Sequence, residues 1–166
     1  MDNEARARLI NCLPGYKSAM LVGTCDTDKL TNLAIISSHF HLGSRPPLLA
    51  MILRPDTGRS ERHTLSNILE TESWTLNAFT LEEAAQAHQT SAPYPKTQSE
   101  FDACGFLEEW KPSCPAPFVS TSLLKVACEL REHRRLEING THMVIGEVTT
   151  LHYPEDALRQ DGALLL

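Results

Sequence analysis

Residues 33–42, LAIISSHFHL, change within two positions from an aliphatic run to hydroxyl and imidazole side chains. Ser37, Ser38, His39 and His41 all carry groups that could bind a ligand. The two histidines are two residues apart, so on a strand both imidazoles would share a face. Zinc sites usually use C-x-x-C or similarly tight spacings, and this chain has no C-x-x-C. We therefore predict no metal site.

Positive charge gathers in one segment, RPDTGRSERHT at residues 54–64. Its cationic or titratable side chains are Arg54, Arg59, Arg62 and His63. They come just before Thr64, which we predict to be a helix N-cap. A helix start offers unpaired amides and the positive end of a dipole, so it could hold a phosphate together with an arginine. The alternative is a solvated turn whose arginines meet surface carboxylates.

His142 is the second residue of the last long apolar segment, residues 141–153. A period of two places it on one strand face with Val144, Gly146 and Val148. A lone histidine on such a face is more often a hydrogen-bonded structural residue than a catalyst. Gly146 indicates either a crowded backbone or a flat ligand lying against the strand.

Composition restricts the class of protein. The chain has 166 residues, which suits one domain over residues 1–166. A net charge of −6 argues against nucleic acid as the main partner. No apolar run approaches the roughly 20 residues that cross a bilayer, and the start has no signal-peptide core, so we expect a cytoplasmic protein without a membrane span. The five cysteines, without close pairing, are expected to be reduced thiols.

Short apolar segments separated by turn formers predict strands at residues 18–26, 33–42, 48–53, 74–79, 124–131 and 141–153. Several short strands with few long helices favour an antiparallel barrel. Short helices are predicted after the N-caps Thr64, Thr80 and Ser99, with Thr80 and Glu83 as a capping box. Two proline-containing stretches, 91–99 and 111–117, are predicted to be stiff connections.

Seven motifs in register resemble the flavin reductase-like, FMN-binding split-barrel family, which includes the flavoredoxins. The motifs, which extend over roughly residues 12–155, are N-L-A-I-I-S-S (32–38), R-P-P-L-L-A-M-I-L-R-P (45–55), R-H-T-L-S-N-I (62–68), W-T-L-N-A-F (74–79), A-P-Y-P-K-x-x-S-E-F (92–101), A-C-E-L (127–130) and G-T-H-M-V-I-G-E-V (140–148).

The resemblance implies a mainly β fold, a six-stranded antiparallel Greek-key split β-barrel with flanking helices. It also implies a homodimer with FMN in a groove near the interface. The leading function is then an NAD(P)H-dependent flavin oxidoreductase, in which NADH or NADPH passes hydride to FMN. The residues do not distinguish the two nicotinamides. The alternatives are a non-enzymatic FMN-binding electron-transfer protein and, more distantly, a split barrel that has lost flavin.

Four of the implied flavin contacts lie in or directly after the first motif, residues 32–38. By the resemblance, Asn32, Ser37 and Ser38 would lie along the isoalloxazine ring and the ribityl chain. His39 would extend along the same rim. The resemblance then explains why residues 33–42 change from aliphatic to polar side chains. Hydroxyls at the barrel rim would form hydrogen bonds with the polar groups of a flavin.

The other implied contacts concern the phosphate and the ring. Thr64 and Asn67 would hold the phosphate, with Arg62 or Lys96 adding positive charge. His142 would approach the flavin from its strand, and it is the best candidate for a catalytic residue.

Two departures from the family limit the comparison. Members often have an aromatic residue where Ser38 or His39 stands, so the packing on the flavin ring is left open. Many also continue past the position of Leu166 into a segment that returns to the flavin. The resemblance therefore leaves open a truncation at the C-terminus and a more open site.

Overall fold

Antiparallel strands form most of the computed structural model, which describes residues 2–56 and 62–165. Its strands are β1 (Met20–Cys25), β2 (Thr31–Ile36), β3 (His39–Ser44), β4 (Pro47–Leu53), β5 (Ser73–Asn77), β6 (Glu108–Lys111), β7 (Cys114–Val119), β8 (Lys125–Arg135) and β9 (His142–His152). Its helices are α1 (Asn3–Cys12), α2 (His63–Thr71), α3 (Ala84–Gln89), α4 (Glu100–Cys104) and a 3₁₀ turn at Glu155–Ala157.

The strands form two sheets. One has seven strands in the order β2-β1-β5-β8-β9-β4-β3, and the other pairs β6 with β7. Every strand pair in both sheets is antiparallel. The predicted mainly β, antiparallel class is confirmed, although the described residues form nine strands rather than six.

Strand β7 closes the barrel by packing across β1 and β5. The Thr75 hydroxyl donates to the Pro117 carbonyl at 2.6 Å, and the Val119 N–H donates to Asn77 Oδ1 at 3.0 Å. A Cβ on Gly23 would lie 2.4 Å from that same Pro117 oxygen, so β1 tolerates no side chain there. The prediction that residues 111–117 are only a connection is wrong, because most of this stretch is strand held by these cross-sheet bonds.

Trp74 fills the centre of the main hydrophobic core and is 1% exposed. A Cβ built on Gly146 would lie 2.2 Å from Trp74 Cη2 and 2.4 Å from Cζ2. Of the two interpretations of Gly146, the structure therefore supports the crowded backbone, and the crowding group is an indole of this chain.

The free edge of β2 is covered by side chains from the helical segments. The Leu33 N–H donates to the Glu100 carboxylate at 3.0 Å, and the Ile35 N–H donates to the Thr90 hydroxyl at 2.9 Å. Burial raises the pKa of Glu100, while the bond from Leu33 opposes that rise. Two backbone donors of an edge strand are thus satisfied without another strand.

The helix starts match the predictions in part. Ser99 caps α4 as predicted, since its hydroxyl accepts from the Phe101 N–H at 3.2 Å. Thr80 and Glu83 form the carboxylate half of a capping box, with the Thr80 N–H 2.8 Å from Glu83 Oε2, although α3 begins only at residue 84.

Two helix starts differ from the predictions. Thr64 is not the N-cap of α2, because the helix begins one residue before it and Arg62 occupies the cap position. Helix α1 was not predicted; the Asp2 carboxylate caps it by accepting from the Ala5 N–H at 2.7 Å. No helix within residues 2–56 and 62–165 combines the length and the apolar character needed to cross a bilayer.

Candidate functional site

The two serines of LAIISSHFHL lie at a break between strands. Strand β2 ends at Ile36 and β3 begins at His39, so the prediction of one strand over residues 33–42 is wrong. The Ser38 carbonyl still accepts from the Ile52 N–H at 2.8 Å, which holds the break against β4. The polar residues interrupt the strand and leave Ser37 and Ser38 facing a cleft.

That cleft has a volume of about 560 Å³, within the range of roughly 300–1,000 Å³ for small-molecule sites. Its lining comes from the end of α1, the segment before β1, the β2–β3 break and the end of β4. The lining residues are Asn11, Cys12, Gly15, Tyr16, Lys17, Ser37, Ser38 and Arg54. Lys17 and Arg54 bring two positive charges to a site on a chain of net charge −6. The cleft is therefore suited to an anionic ligand that also accepts or donates hydrogen bonds.

Asn32, Thr64 and Asn67 meet in a buried polar cluster around Thr24. Asn32 Nδ2 donates to the Thr64 hydroxyl at 3.0 Å and to the Thr24 hydroxyl at 3.3 Å. Asn67 Nδ2 donates to the Thr24 hydroxyl at 3.2 Å. These bonds attach the first turns of α2 to β1 and β2. Asn67 Oδ1 is buried and has no hydrogen-bond partner among the described residues.

Lys96 pairs with a carboxylate of its own chain. Its Nζ lies 2.9 Å from Asp26 Oδ2, and the Asp26 side chain is 4% exposed. The hydrogen bond from Lys96 lowers the pKa of Asp26, although burial opposes the change, and Asp26 in turn raises the pKa of Lys96. A cavity of about 10 Å³ next to Lys96, Asn32 and Asn67 has room for about one water molecule rather than a phosphate.

His39 is tied to the segment before β1. Its Nε2 lies 3.3 Å from the Ser18 hydroxyl and 3.2 Å from the Ser18 carbonyl. Burial lowers the pKa of His39, and the Ser18 carbonyl opposes that change. Because Ser18 follows Lys17, this contact helps to position one wall of the cleft.

His142 begins β9, where it lies opposite Leu53 on β4 and Arg135 on β8. Its Nδ1 is 2.8 Å from Nε2 of His133. Burial lowers the pKa of His142, and His133 and Arg135 lower it further. Leu53 directly precedes the cleft residue Arg54, so His142 pairs with the strand end that reaches the cleft.

The predicted site residues thus fall into separate groups. Ser37 and Ser38 share the cleft, and Asn32, Thr64 and Asn67 share the buried cluster. Arg62 is exposed and makes no side-chain capping bond. The remaining predicted residues, His39, Lys96 and His142, have the partners given above. Arg59 lies outside the described residues.

Sequence reasoning missed three residues near these groups. Lys17 carries no local signal in the sequence, and Arg54 was noted only as part of a basic segment. His133 could have been found by pairing β8 with β9 around the Asn139-Gly140 turn. Among residues 2–56 and 62–165, no three histidine, cysteine or acidic side chains lie close enough together to hold a metal ion.

Comparison with known proteins identifies the family. Residues 14–166 match the model of the flavin reductase like domain. The chain belongs to this family. Its structure superposes on a split barrel protein of Shewanella frigidimarina NCIMB 400, described as a candidate flavin reductase, with a TM-score of 0.93. The two share 45% identity over 100% of this chain and 81% of that chain.

Two more distant structures share the fold. Flavoredoxin of Desulfovibrio vulgaris (Miyazaki F) has a TM-score of 0.74 and 22% identity, covering 90% of this chain and 76% of its own. The NADH:FAD oxidoreductase SgcE6 of Streptomyces globisporus C-1027 has a TM-score of 0.74 and 13% identity, covering 93% and 86%. The split-barrel fold expected from the sequence is therefore confirmed.

The cleft residues fit a flavin. Ser37 and Ser38 offer hydroxyls that match the carbonyls, ring nitrogens and ribityl groups of such a molecule. Lys17 and Arg54 supply the cations that its phosphate would need, and Tyr16, at the mouth, offers an exposed aromatic ring.

Proposed function

We propose that this protein binds FMN in the cleft beside Ser37 and Ser38 and acts as an NAD(P)H-dependent flavin oxidoreductase. The observation that carries the proposal is the cleft itself, in which two hydroxyls and two cations surround about 560 Å³ in an acidic chain. Membership of the flavin reductase like family supports it.

Bound FMN would supply the hydride chemistry, accepting two electrons and a proton from a nicotinamide. The protein's part is to bind, orient and exclude water. We assign the phosphate to Arg54 and Lys17, because both are cleft cations, whereas the charge of Lys96 is compensated by Asp26. Arg62 lies at the start of α2 and remains a further phosphate candidate.

The buried cluster has a supporting role in this proposal. Asn32, Thr64 and Asn67 attach α2 to the sheet and so fix the start of this helix, where Arg62 lies. Direct contact between Thr64 or Asn67 and the phosphate stays a prediction. His39 holds the cleft wall through Ser18.

We place His142 beside the flavin as a hydrogen-bond donor to one of its oxygens. A preorganised donor in a water-poor site stabilises negative charge that develops on reduction. His142→Ala should then slow flavin reduction or weaken FMN binding more than His152→Ala, at the far end of the same strand. His152 lies edge-on to Phe118, with ring centres 5.6 Å apart, and serves as the matched control. If the two variants bind FMN and reduce it equally well, His142 is only a structural residue.

Titration and anaerobic reduction test the function. The purified protein is titrated with FMN, FAD and riboflavin, and the FMN-loaded protein is then mixed with NADH or NADPH without oxygen. We expect FMN to bind most tightly and the visible flavin band to bleach rapidly with at least one nicotinamide. A protein that binds FMN but stays yellow would be an electron carrier or binding module instead. A protein that binds no flavin would refute the assignment of the cleft.

We also propose a homodimer with the cleft at or near the shared surface. Apolar side chains are exposed on and after α1, with Leu9 at 49%, Ile10 at 57% and Leu13 at 69%, and on β3 at Phe40 and Leu42. Such exposure near a site is typical of an interface. Sedimentation at micromolar concentration should give twice the chain mass of 18.5 kDa; an FMN-loaded monomer would contradict the proposal. The cytoplasmic location stays a prediction from the sequence.

A further inference from the structure

His133 and His142 are joined through their ring nitrogens at the end of the β8–β9 hairpin. Nε2 of His133 lies 2.8 Å from Nδ1 of His142, which is a hydrogen-bond distance. The ring planes differ by 11° and the ring centres are 5.1 Å apart. The nitrogen-to-nitrogen distance plus the short distance from each nitrogen to its ring centre accounts for almost all of that separation. The rings therefore lie edge to edge in nearly one plane and are joined by one N–H···N hydrogen bond.

The proton of this hydrogen bond can belong to either ring. The two cases differ in whether Nε2 of His142 carries a proton. If His133 donates, His142 accepts at Nδ1 and carries its proton on Nε2. If His142 donates from Nδ1, its Nε2 becomes an acceptor. Nε2 of His142 has no hydrogen-bond partner among the described residues, so it is the nitrogen left for a ligand.

We propose that His133 is a positioning residue that donates its Nε2–H to His142 and so holds His142 with an N–H on Nε2, ready to donate to a carbonyl oxygen of the bound cofactor or of the nicotinamide. This inference rests on the proposed function. It assigns to His133 a role through His142 and no contact with substrate.

Two observations favour donation by His133. Both rings are then in the Nε2–H form, which is the more stable form of a neutral histidine in water. The surroundings of His142 also disfavour a second proton on its ring. Burial lowers its pKa, and the groups facing it on β8, His133 and Arg135, add to the effect, while β4 presents the uncharged Leu53. A neutral His142 keeps one ring nitrogen free to accept a hydrogen bond, which fits donation by His133.

The first test needs no cofactor. Long-range ¹H–¹⁵N spectra of the full chain, without flavin and near pH 7.5, report which nitrogen of each histidine is protonated. We expect His142 to show Nε2–H in the wild type. A His142 signature of Nδ1–H would overturn the proposal. The result is independent of whether the protein binds or reduces any flavin, so failure of the proposed function is distinguishable.

Variants supply the second test. His133→Phe keeps a ring but removes both nitrogens, His133→Gln retains an N–H donor, and His88→Phe changes an exposed histidine on α3 as a control. We expect His133→Phe to give a mixture of His142 tautomers and a His142 ring that is no longer held in place. The rate of flavin reduction should then fall by roughly threefold or more, because part of the population presents an acceptor or a misplaced donor where a donor is needed.

His133→Gln should restore most of that rate and the Nε2–H signature, and His88→Phe should match the wild type. If His133→Phe folds with the wild-type His142 tautomer and rate, His133 has no positioning role. Should that variant fail to fold, the wild-type spectrum and His133→Gln still decide the matter. Loss of the Nε2–H signature in His133→Gln would count against donation by residue 133.

Discussion

Gly146→Ala tests whether the last strand is crowded by Trp74 or is open to a ligand. The new Cβ would lie 2.2 and 2.4 Å from two carbons of the indole and 3.1 Å from Cys128 Cβ. Trp74 is 1% exposed and belongs to the core cluster, so it has no free space into which it could rotate. Either the indole leaves its position or the strand moves.

The expected loss of unfolding free energy in Gly146→Ala is the difference between two opposing effects. Overpacking a well-packed core costs about 1–3 kcal/mol, and two contacts this short favour the upper part of that range. Replacing glycine by alanine also reduces the entropy of the unfolded chain, which returns about 0.4–1 kcal/mol. The net loss of unfolding free energy is therefore about 2 kcal/mol. With a urea m-value of about 2 kcal/mol/M, the midpoint should fall by about 1 M.

Urea denaturation followed by circular dichroism measures this loss against a matched control. Gly43→Ala changes another strand glycine, whose added Cβ would meet its nearest atom at 3.6 Å, so it should shift the midpoint little. Trp74→Phe removes the crowding carbons, and the double variant should lose less stability than the sum of the single losses by more than about 0.5 kcal/mol. Additive losses, or equal effects of the two alanines, would refute the reasoning. Normal stability with lost FMN binding would instead place a ligand at Gly146.

Three further variants test the site and its support. Arg54→Gln should weaken FMN binding by about tenfold or more, because a charge-assisted contact with the phosphate is lost. In a fluorescence titration, riboflavin binding should stay nearly unchanged. Equal weakening of both ligands would show that Arg54 does not contact the phosphate. Thr64→Ala removes the acceptor of the hydrogen bond from Asn32 and should lower the unfolding free energy by about 1 kcal/mol. If the variant also loses affinity for FMN but not for riboflavin, Thr64 contacts the phosphate as well. Asp26→Asn removes the charge opposite Lys96. Because the folded-state pKa of Asp26 is lowered, its stabilisation is present above the ordinary aspartate pKa of about 3.9 and lost as pH falls through the lower folded value. The two proteins should therefore differ in unfolding free energy at pH 7 and converge in acid, and a constant difference would contradict the sign.

The sequence by itself determined the class of fold and most of the strand positions. Apolar segments bounded by turn formers located β1, β4, β5 and β9 to within a few residues, since burial and strand period act locally. The Ser99 cap was also readable, because a cap is satisfied by amides two or three residues away. The seven motifs in register pointed to the family, which the match over residues 14–166 confirmed.

Local patterns misjudged the elements that depend on distant partners. Residues 111–117 read as a proline-containing connection, but β7, which begins at Cys114, is held by the side chains of Thr75 and Asn77 from another sheet. Thr64 read as a helix cap, yet its hydroxyl accepts from Asn32, which lies 32 residues away in the chain. In each case a long-range hydrogen bond outweighed the local preference.

Only the tertiary structure decided which cations line the cleft. Lys96 and Arg54 are equivalent cations in the sequence, but the fold pairs Lys96 with the buried carboxylate of Asp26 and leaves Arg54 at the cleft. The same holds for His133, which meets His142 only because β8 and β9 pair in one register. Composition and spacing specify which groups a chain carries. The free energy of each group depends on what the folded chain places within a few ångströms of it, and that distance is set by contacts between residues far apart in sequence.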